Sequence, residues 1–134
     1  TGDLIARSAA YAETIAEALF NLFDCWIDAD LFDSRLDLAI RNWARNDRDL
    51  QARLDQADTR REKALTEMFI RFGFDAGVAL IRARAMIYTQ LGYISMQVHE
   101  STEYQLSLLP RWVEVFTGAP PSKRDLDRFL ARHS

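Results

Sequence analysis

The sequence lacks several features that define large classes of proteins. Its 134 residues include one cysteine, Cys25, so no internal disulfide can form, which fits a reducing cytoplasm. The net charge is −3, which leaves no basic excess for nucleic acid or anionic lipid. No apolar run reaches the roughly 18 residues of a spanning helix, because Arg82, Arg84 and Gln90 interrupt the longest one. No signal peptide is visible. We therefore expect a cytoplasmic protein without a membrane segment.

Motifs of the common catalytic and metal sites are also absent. The sequence contains no HExxH, no CxxC, no phosphate-binding glycine loop and no nucleophile elbow. His99 and Glu100 are adjacent, about 100° apart on a helix, so they cannot ligate one metal ion together as a di-iron bundle requires. We expect no enzyme activity, no cofactor and no metal site.

Helical periodicity dominates what is present. Hydrophobic residues make up 49% of the chain, which indicates a folded protein, and the length predicts one domain over residues 1–134. No segment alternates with the period of a strand between hairpin turns. The pattern predicts an all-α fold, a helical bundle of about six helices. The predicted helices span residues 3–28, 35–46, 48–72, 75–99 and 102–117, with a short one after Ser122.

The helix predicted over Asp75–His99 is the element around which the others are expected to pack. Asp75 is a good N-cap, and the helix is apolar on nearly every side. Its three apolar faces carry Leu80, Ile87, Leu91, Ile94 and Val98; Ala79, Ala83, Met86 and Tyr93; and Ile81, Ala85, Tyr88 and Gly92. A helix that is apolar all round is buried on several sides. We expect its own core on one side and a partner subunit on the other.

Turn and capping residues predict where the helices end. Asp47 is expected to cap one helix, and Gly73 to end it as the residue after its C-cap. Thr102-x-x-Gln105 resembles a capping box. Pro110 must either kink its helix or mark the helix start.

Arg61 stands where the apolar stripe of the third predicted helix requires a hydrophobic residue. Two interpretations remain open. The segment can be a solvated turn of helix with ion pairs among Asp58, Glu62 and Lys63. Alternatively, Arg61 reaches a carboxylate in the interior or at an interface.

Large adaptable side chains gather near the ends of several predicted helices. Aromatic and methionine residues at helical spacing usually form core, but a buried Tyr or Trp needs a partner for its polar atom. Such residues suit a wet or ligand-filled cavity, and cavities in helical domains lie between helices.

Four segments are similar to a known family. LDLAIRNWARND (36–47), DTRR (58–61), RFGFD (71–75) and ARAMIYTQLGY (83–93) resemble the C-terminal regulatory domain of TetR/AcrR-family transcriptional repressors. These segments cover somewhat under half of the chain.

The resemblance implies a homodimer and a ligand cavity. In that family the two long helices nearest the C-terminus pair with their copies as a four-helix bundle, here residues 75–99 and 102–117. Each subunit holds a hydrophobic cavity, and effector binding moves the DNA-binding domains out of register with the operator. A small lipophilic or aromatic effector is expected here. Residues assigned to the cavity are Phe20, Phe23, Trp26, Trp43, Met68, Phe72, Met86 and Tyr93. Residues assigned to the dimer surface are Ile87, Leu91, Ile94, Leu109, Trp112, Val113 and Phe116.

The DNA-binding domain of this family has no counterpart in the sequence. It occupies roughly the first 50 residues of family members, and Thr1–Ser8 corresponds at most to the end of the connecting helix. Because the chain starts at Thr1 and not at Met, we expect that N-terminal residues are missing. Operator DNA would then be bound only through the missing helix-turn-helix domain.

Two other functions compete with a repressor domain. The first is a stand-alone helical adaptor whose apolar groove binds a partner protein, with no small ligand. The second is an enzyme on a helical bundle that uses Cys25, or a carboxylate pair such as Asp24 and Asp28.

Overall fold

The described residues form seven α-helices. The structure, a computed structural model, describes residues 2–27, 34–96 and 98–132, without the side chains of residues 2–4, 7, 25–27, 34, 35 and 132. The helices are α1 (Gly2–Ala9), α2 (Ile15–Ile27), α3 (Ser34–Ala44), α4 (Arg48–Arg71), α5 (Ala76–Ser95), α6 (Thr102–Thr117) and α7 (Lys123–Arg132). These ranges contain no strand, which confirms the predicted all-α bundle. None of the helices in them is long and apolar enough to cross a membrane.

The single helix predicted over residues 3–28 is wrong, because the chain breaks between α1 and α2. Thr14 begins α2: its hydroxyl accepts a hydrogen bond from the Glu17 N–H at 3.1 Å, and its carbonyl accepts one from Ala18 at 3.0 Å. Thr14-x-x-Glu17 has the spacing of a capping box, and this cap prevails over the apolar period that runs through it. The Thr14 hydroxyl also donates to the buried Asp125 at 3.0 Å, which joins the break to α7.

The turn from α4 to α5 forms as predicted around Gly73. Gly73 adopts a φ of 93°, a left-handed conformation that favours glycine. The N–H groups of Phe74 and Gly73 bond the carbonyls of Phe69 and Ile70 at 3.1 and 2.9 Å, the two bonds of a Schellman motif. The rings of Phe69 and Phe74 meet edge to face at 5.3 Å. Asp75 then caps α5 by accepting from two backbone N–H groups.

Helix α5 ends earlier than predicted, at Ser95 and not at His99. The Val98 N–H bonds the Tyr93 carbonyl at 3.0 Å, and this pairing closes the helix end and turns the chain away. Ser101 then caps α6 by accepting from the Tyr104 N–H at 3.1 Å. Pro110 lies inside α6 and therefore does not mark its start.

One hydrophobic core joins α2, α4, α5, α6 and α7. Helix α5 contributes the small side chains of Ala79 and Ala83, both fully buried, which let neighbouring helices approach closely. The largest fully buried side chains are Phe20, Phe69, Phe129, Leu19, Leu22, Leu65, Met68, Met86 and Val113.

Arg61 combines parts of the two interpretations open from the sequence. It pairs with Asp58 of its own helix, yet it is buried and not solvated. Asp58 also accepts two hydrogen bonds from Arg41 of α3, at 2.8 and 3.0 Å, and Arg41 bonds Asp37 at 3.0 Å. The four side chains, called here the α3–α4 ion cluster, therefore connect two helices.

Candidate ligand-binding cavity

A cavity of about 580 Å³ lies between α2, α3, α5 and α6, beside the connection from α5 to α6. Its mouth is at α3 and at the connection, where Ala39, Asn42 and His99 are exposed. Its apolar lining consists of Phe23, Leu38, Ala39, Ile94, Val98, Leu108, Leu109 and Phe116. Its polar and amphipathic lining consists of Asn42, Thr89, Gln90, Tyr93, His99, Glu100, Gln105 and Trp112.

Four aromatic rings form one wall of the cavity. Trp112 stacks on Phe116, with ring centroids 5.6 Å apart and planes at 15°. Tyr93 meets Trp112 edge to face at 6.1 Å, and Phe23 lies 6.4 Å from Phe116. Trp112 and Phe116 belong to α6 and are one helical turn apart, so a single helix presents both rings to the same space. The aromatic part of the lining therefore comes from rings that contact one another.

A carboxylate and a phenol face each other at the end of the cavity nearest the α5–α6 connection. Burial raises the pKa of Tyr93, and the neighbouring Glu100 carboxylate raises it further. The Glu100 Oε1 atom is buried and has no hydrogen-bond partner among the described residues. Burying a polar atom without a hydrogen-bond partner costs free energy. Glu100 Oε1 is therefore a candidate atom for hydrogen bonding to a ligand.

The local sequence explains why Glu100 reaches the cavity. Helix α5 closes its end through the Val98 N–H, and α6 starts at its cap Ser101. His99 and Glu100 lie between these two caps and belong to neither helix. Val98, His99 and Glu100 all line the cavity as a result.

The residues assigned to the cavity from the sequence separate into four places. Phe23 and Tyr93 line the cavity. Phe20, Met68 and Met86 are fully buried in the core, and Phe72 packs against it. Trp43 is 72% exposed and does not line the cavity. The side chain of Trp26 lies outside the described residues.

The residues assigned to the dimer surface point mainly into the protomer. Ile94, Leu109, Trp112 and Phe116 line the cavity. Ile87 and Val113 are buried in the core, and Leu91 packs against it. The helices that were expected to hold the interface therefore turn these faces inward.

Helices α5 and α6 also carry exposed apolar side chains, which together are called here the outer apolar face. On α5 Ile81 is 61% and Tyr88 59% exposed, and Val78 is also exposed. On α6 Tyr104 and Val115 are exposed. Ile81 and Tyr88 had been grouped on one face of the long helix from periodicity alone. One side of α5 thus packs in the core and another is uncovered within one chain, and the partner subunit expected on that side stays a prediction.

Glu100, Gln90, Gln105, Asn42 and the α3 residues were missed as cavity residues. Helical periodicity selects large apolar side chains and therefore passes over the polar Glu100, Gln90, Gln105 and Asn42. It also does not show whether apolar residues of α3, such as Leu38 and Ala39, face a cavity. One available signal was the Ser101 cap directly after Glu100, which places the carboxylate between two helix ends.

Both rival catalytic arrangements include a group outside the part of the chain that the structure describes, so the enzyme stays an alternative hypothesis. No group of three or more His, Cys, Asp or Glu side chains there is placed to hold a metal ion. Cys25, by its side chain, and Asp28 lie outside the described residues.

Comparison with protein-family models, with curated proteins and with solved structures finds no match for this chain. The cavity and the outer apolar face are therefore the observations from which a function can be proposed.

Proposed function

We propose that the chain is the effector-binding and dimerisation domain of a TetR/AcrR-like transcriptional repressor of the cytoplasm, and that its effector is a small lipophilic or aromatic molecule. The cavity carries this proposal. Its volume of about 580 Å³ falls among those of small-molecule sites, roughly 300–1,000 Å³. A space that lies between four helices and is lined by stacked aromatic rings suits a compact ligand better than an extended peptide.

The order of the helices supports the same proposal. The short α3 carries the Trp-Ala-Arg segment, α4 carries the paired arginines Arg60 and Arg61, and the apolar α5 follows. These are the segments that resemble the TetR/AcrR regulatory domain. Operator DNA would be contacted by the helix-turn-helix domain of such a repressor, since the present chain as a whole has a net charge of −3.

Dimerisation through α5 and α6 would use the outer apolar face. Ile81 and Tyr88 on α5 and Val115 on α6 are large apolar side chains that one chain leaves exposed. A symmetric interface buries the same patch of both copies, and aromatic residues such as tyrosine are enriched at such interfaces. The inward-facing Trp112 and Phe116 remain with the cavity.

We expect one saturable site per protomer for N-phenyl-1-naphthylamine, a neutral dye that fluoresces in apolar surroundings. Ala39→Phe places a ring at the cavity mouth and is expected to weaken dye binding at least tenfold in a fluorescence titration. The control, Ala52→Phe, adds the same ring on the exposed surface of α4, away from the lining, and should leave binding unchanged.

Non-saturable dye uptake by the unaltered chain would contradict the effector site. The adaptor that binds a partner protein would then replace it. If Ala39→Phe and Ala52→Phe weaken dye binding equally, the dye binds elsewhere.

We expect the purified chain to dimerise and Ile81→Arg to raise its dissociation constant at least tenfold in sedimentation velocity. The substitution occurs twice in a symmetric interface and forces each arginine into an apolar contact. Leu36→Arg is the control, because Leu36 on α3 is 57% exposed but lies outside the outer apolar face. A monomeric chain at micromolar concentration, or a dimer that Ile81→Arg leaves intact, would contradict the interface.

A further inference from the structure

The formal charge of the described cavity lining is negative. Glu100 is the only carboxylate among the lining residues that the structure describes, and no lysine or arginine is among them. The other polar lining groups are amides, hydroxyls, one indole and the His99 imidazole at the exposed mouth. An entering molecule therefore meets a negative charge with no cation of the described lining beside it.

The unpartnered oxygen of Glu100 specifies what the molecule must offer. A carboxylate oxygen only accepts hydrogen bonds, so a bond at Oε1 has to come from an N–H or O–H donor. A cationic donor forms a shorter and stronger bond to a carboxylate than a neutral donor does. Because the Oε1 atom is buried, a pair formed there is screened less by salt than a pair at the surface.

The aromatic wall favours the same charge. Cations are attracted to the faces of Trp, Tyr and Phe rings. Tyr93 lies beside Glu100 and meets Trp112, which stacks on Phe116, and Phe116 in turn lies near Phe23. A molecule with its charge near Glu100 can thus lay its apolar body along Phe116 and Phe23.

We propose that the cavity takes a lipophilic organic cation that carries an N–H donor, a protonated amine on an aromatic or alkyl body, with Glu100 as its counter-charge. This inference rests on the effector site proposed above and adds the charge and donor of the ligand. A quaternary ammonium ion would keep the attraction to the rings but leave Oε1 without a bond.

Two planar dyes of nearly equal size test the charge preference at pH 7.5: 9-aminoacridine, a cation with N–H donors, and acridine, which is neutral. Fluorescence titration of the whole chain is expected to give at least tenfold tighter binding of 9-aminoacridine. Glu100→Gln should weaken 9-aminoacridine at least tenfold and change acridine less than twofold. The matched control is Glu103→Gln, which removes the same charge three residues away at an exposed position outside the lining, and it should change neither dye more than twofold.

The possible outcomes separate this inference from the effector site itself. If acridine binds at one site as tightly as 9-aminoacridine, the cavity stands and the charge preference is overturned. If Glu100→Gln and Glu103→Gln weaken 9-aminoacridine equally, the preference comes from overall charge and not from Glu100. If neither dye binds saturably, the effector site fails together with the inference.

Discussion

Replacing Phe20 by alanine is expected to lower the free energy of unfolding by about 3–5 kcal/mol. Phe20 is 1% exposed, and its ring stacks on Phe129 of α7 with centroids 4.5 Å apart. Alanine removes the buried ring and leaves a space that α2 and α7 cannot fill without moving. Because a domain of this size has a total stability of roughly 5–15 kcal/mol, the loss is a large fraction of it. Urea unfolding followed by circular dichroism measures the change.

The control for Phe20→Ala is Trp43→Ala. Trp43 carries a larger ring but is 72% exposed, so its removal should change the free energy of unfolding by no more than about 0.5 kcal/mol. Both residues had been assigned to the cavity from the sequence, whereas the fold places one in the core and the other in solvent. Equal losses at the two positions would contradict this placement.

Most of the helices were predictable because short local sequence patterns mark their ends. Asp47 and Asp75 cap helices by accepting hydrogen bonds from backbone N–H groups, and Gly73 ends α4 with a positive φ. Such caps depend on a few neighbouring residues, which a sequence displays directly. The break before α2 follows the same rule, and Thr14-x-x-Glu17 would have located it. It was missed because the apolar period continued across the cap.

The cavity was predictable only as a region. Periodicity identified α5 and α6 as apolar on several sides, but it cannot tell which side meets the core, a cavity or solvent. Phe116 and Trp112 turned inward, and Ile81 and Tyr88 turned outward. That choice depends on how α2, α3 and α7 pack, which involves residues far apart in the sequence. The position of Glu100 depends on the connection between α5 and α6, where no helical periodicity applies.

The α3–α4 ion cluster explains why a charged residue interrupts the apolar stripe of α4. Arg61 broke the apolar stripe of α4, and the sequence could not say what its charge meets. In the fold its side chain is 10% exposed and pairs with Asp58, which Arg41 holds from α3. A buried guanidinium is tolerated because a carboxylate lies beside it.

Asp58→Asn is expected to lower the free energy of unfolding by about 2 kcal/mol at pH 7, since it leaves the charge of Arg61 buried without a counter-ion. Breaking a fully buried pair costs about 3–5 kcal/mol, and the smaller value reflects the 29% exposure of the Asp58 side chain. Arg41 keeps Asp37, so α3 retains one of its two ion pairs. Urea unfolding measures the loss. The control, Asp55→Asn, changes an exposed carboxylate one turn earlier in α4 and should cost no more than about 0.5 kcal/mol.

Lowering the pH should reduce the difference in unfolding free energy between the unaltered chain and the Asp58→Asn variant. Burial acts to raise the pKa of Asp58, but Arg41 and then Arg61 outweigh it and hold that pKa below its usual value. The unfolded chain, with a pKa of about 3.9 at this carboxyl, therefore binds the proton first as pH falls. The stabilisation from Asp58 is complete above that pH and is lost as pH falls through the lower pKa of the folded chain. The difference between the unfolding free energies of the two proteins should thus become smaller from pH 7 down to about pH 3, because a protonated Asp58 leaves Arg61 as uncompensated as asparagine does. A difference that stays constant over this range would mean that the charge of Asp58 does not stabilise the cluster.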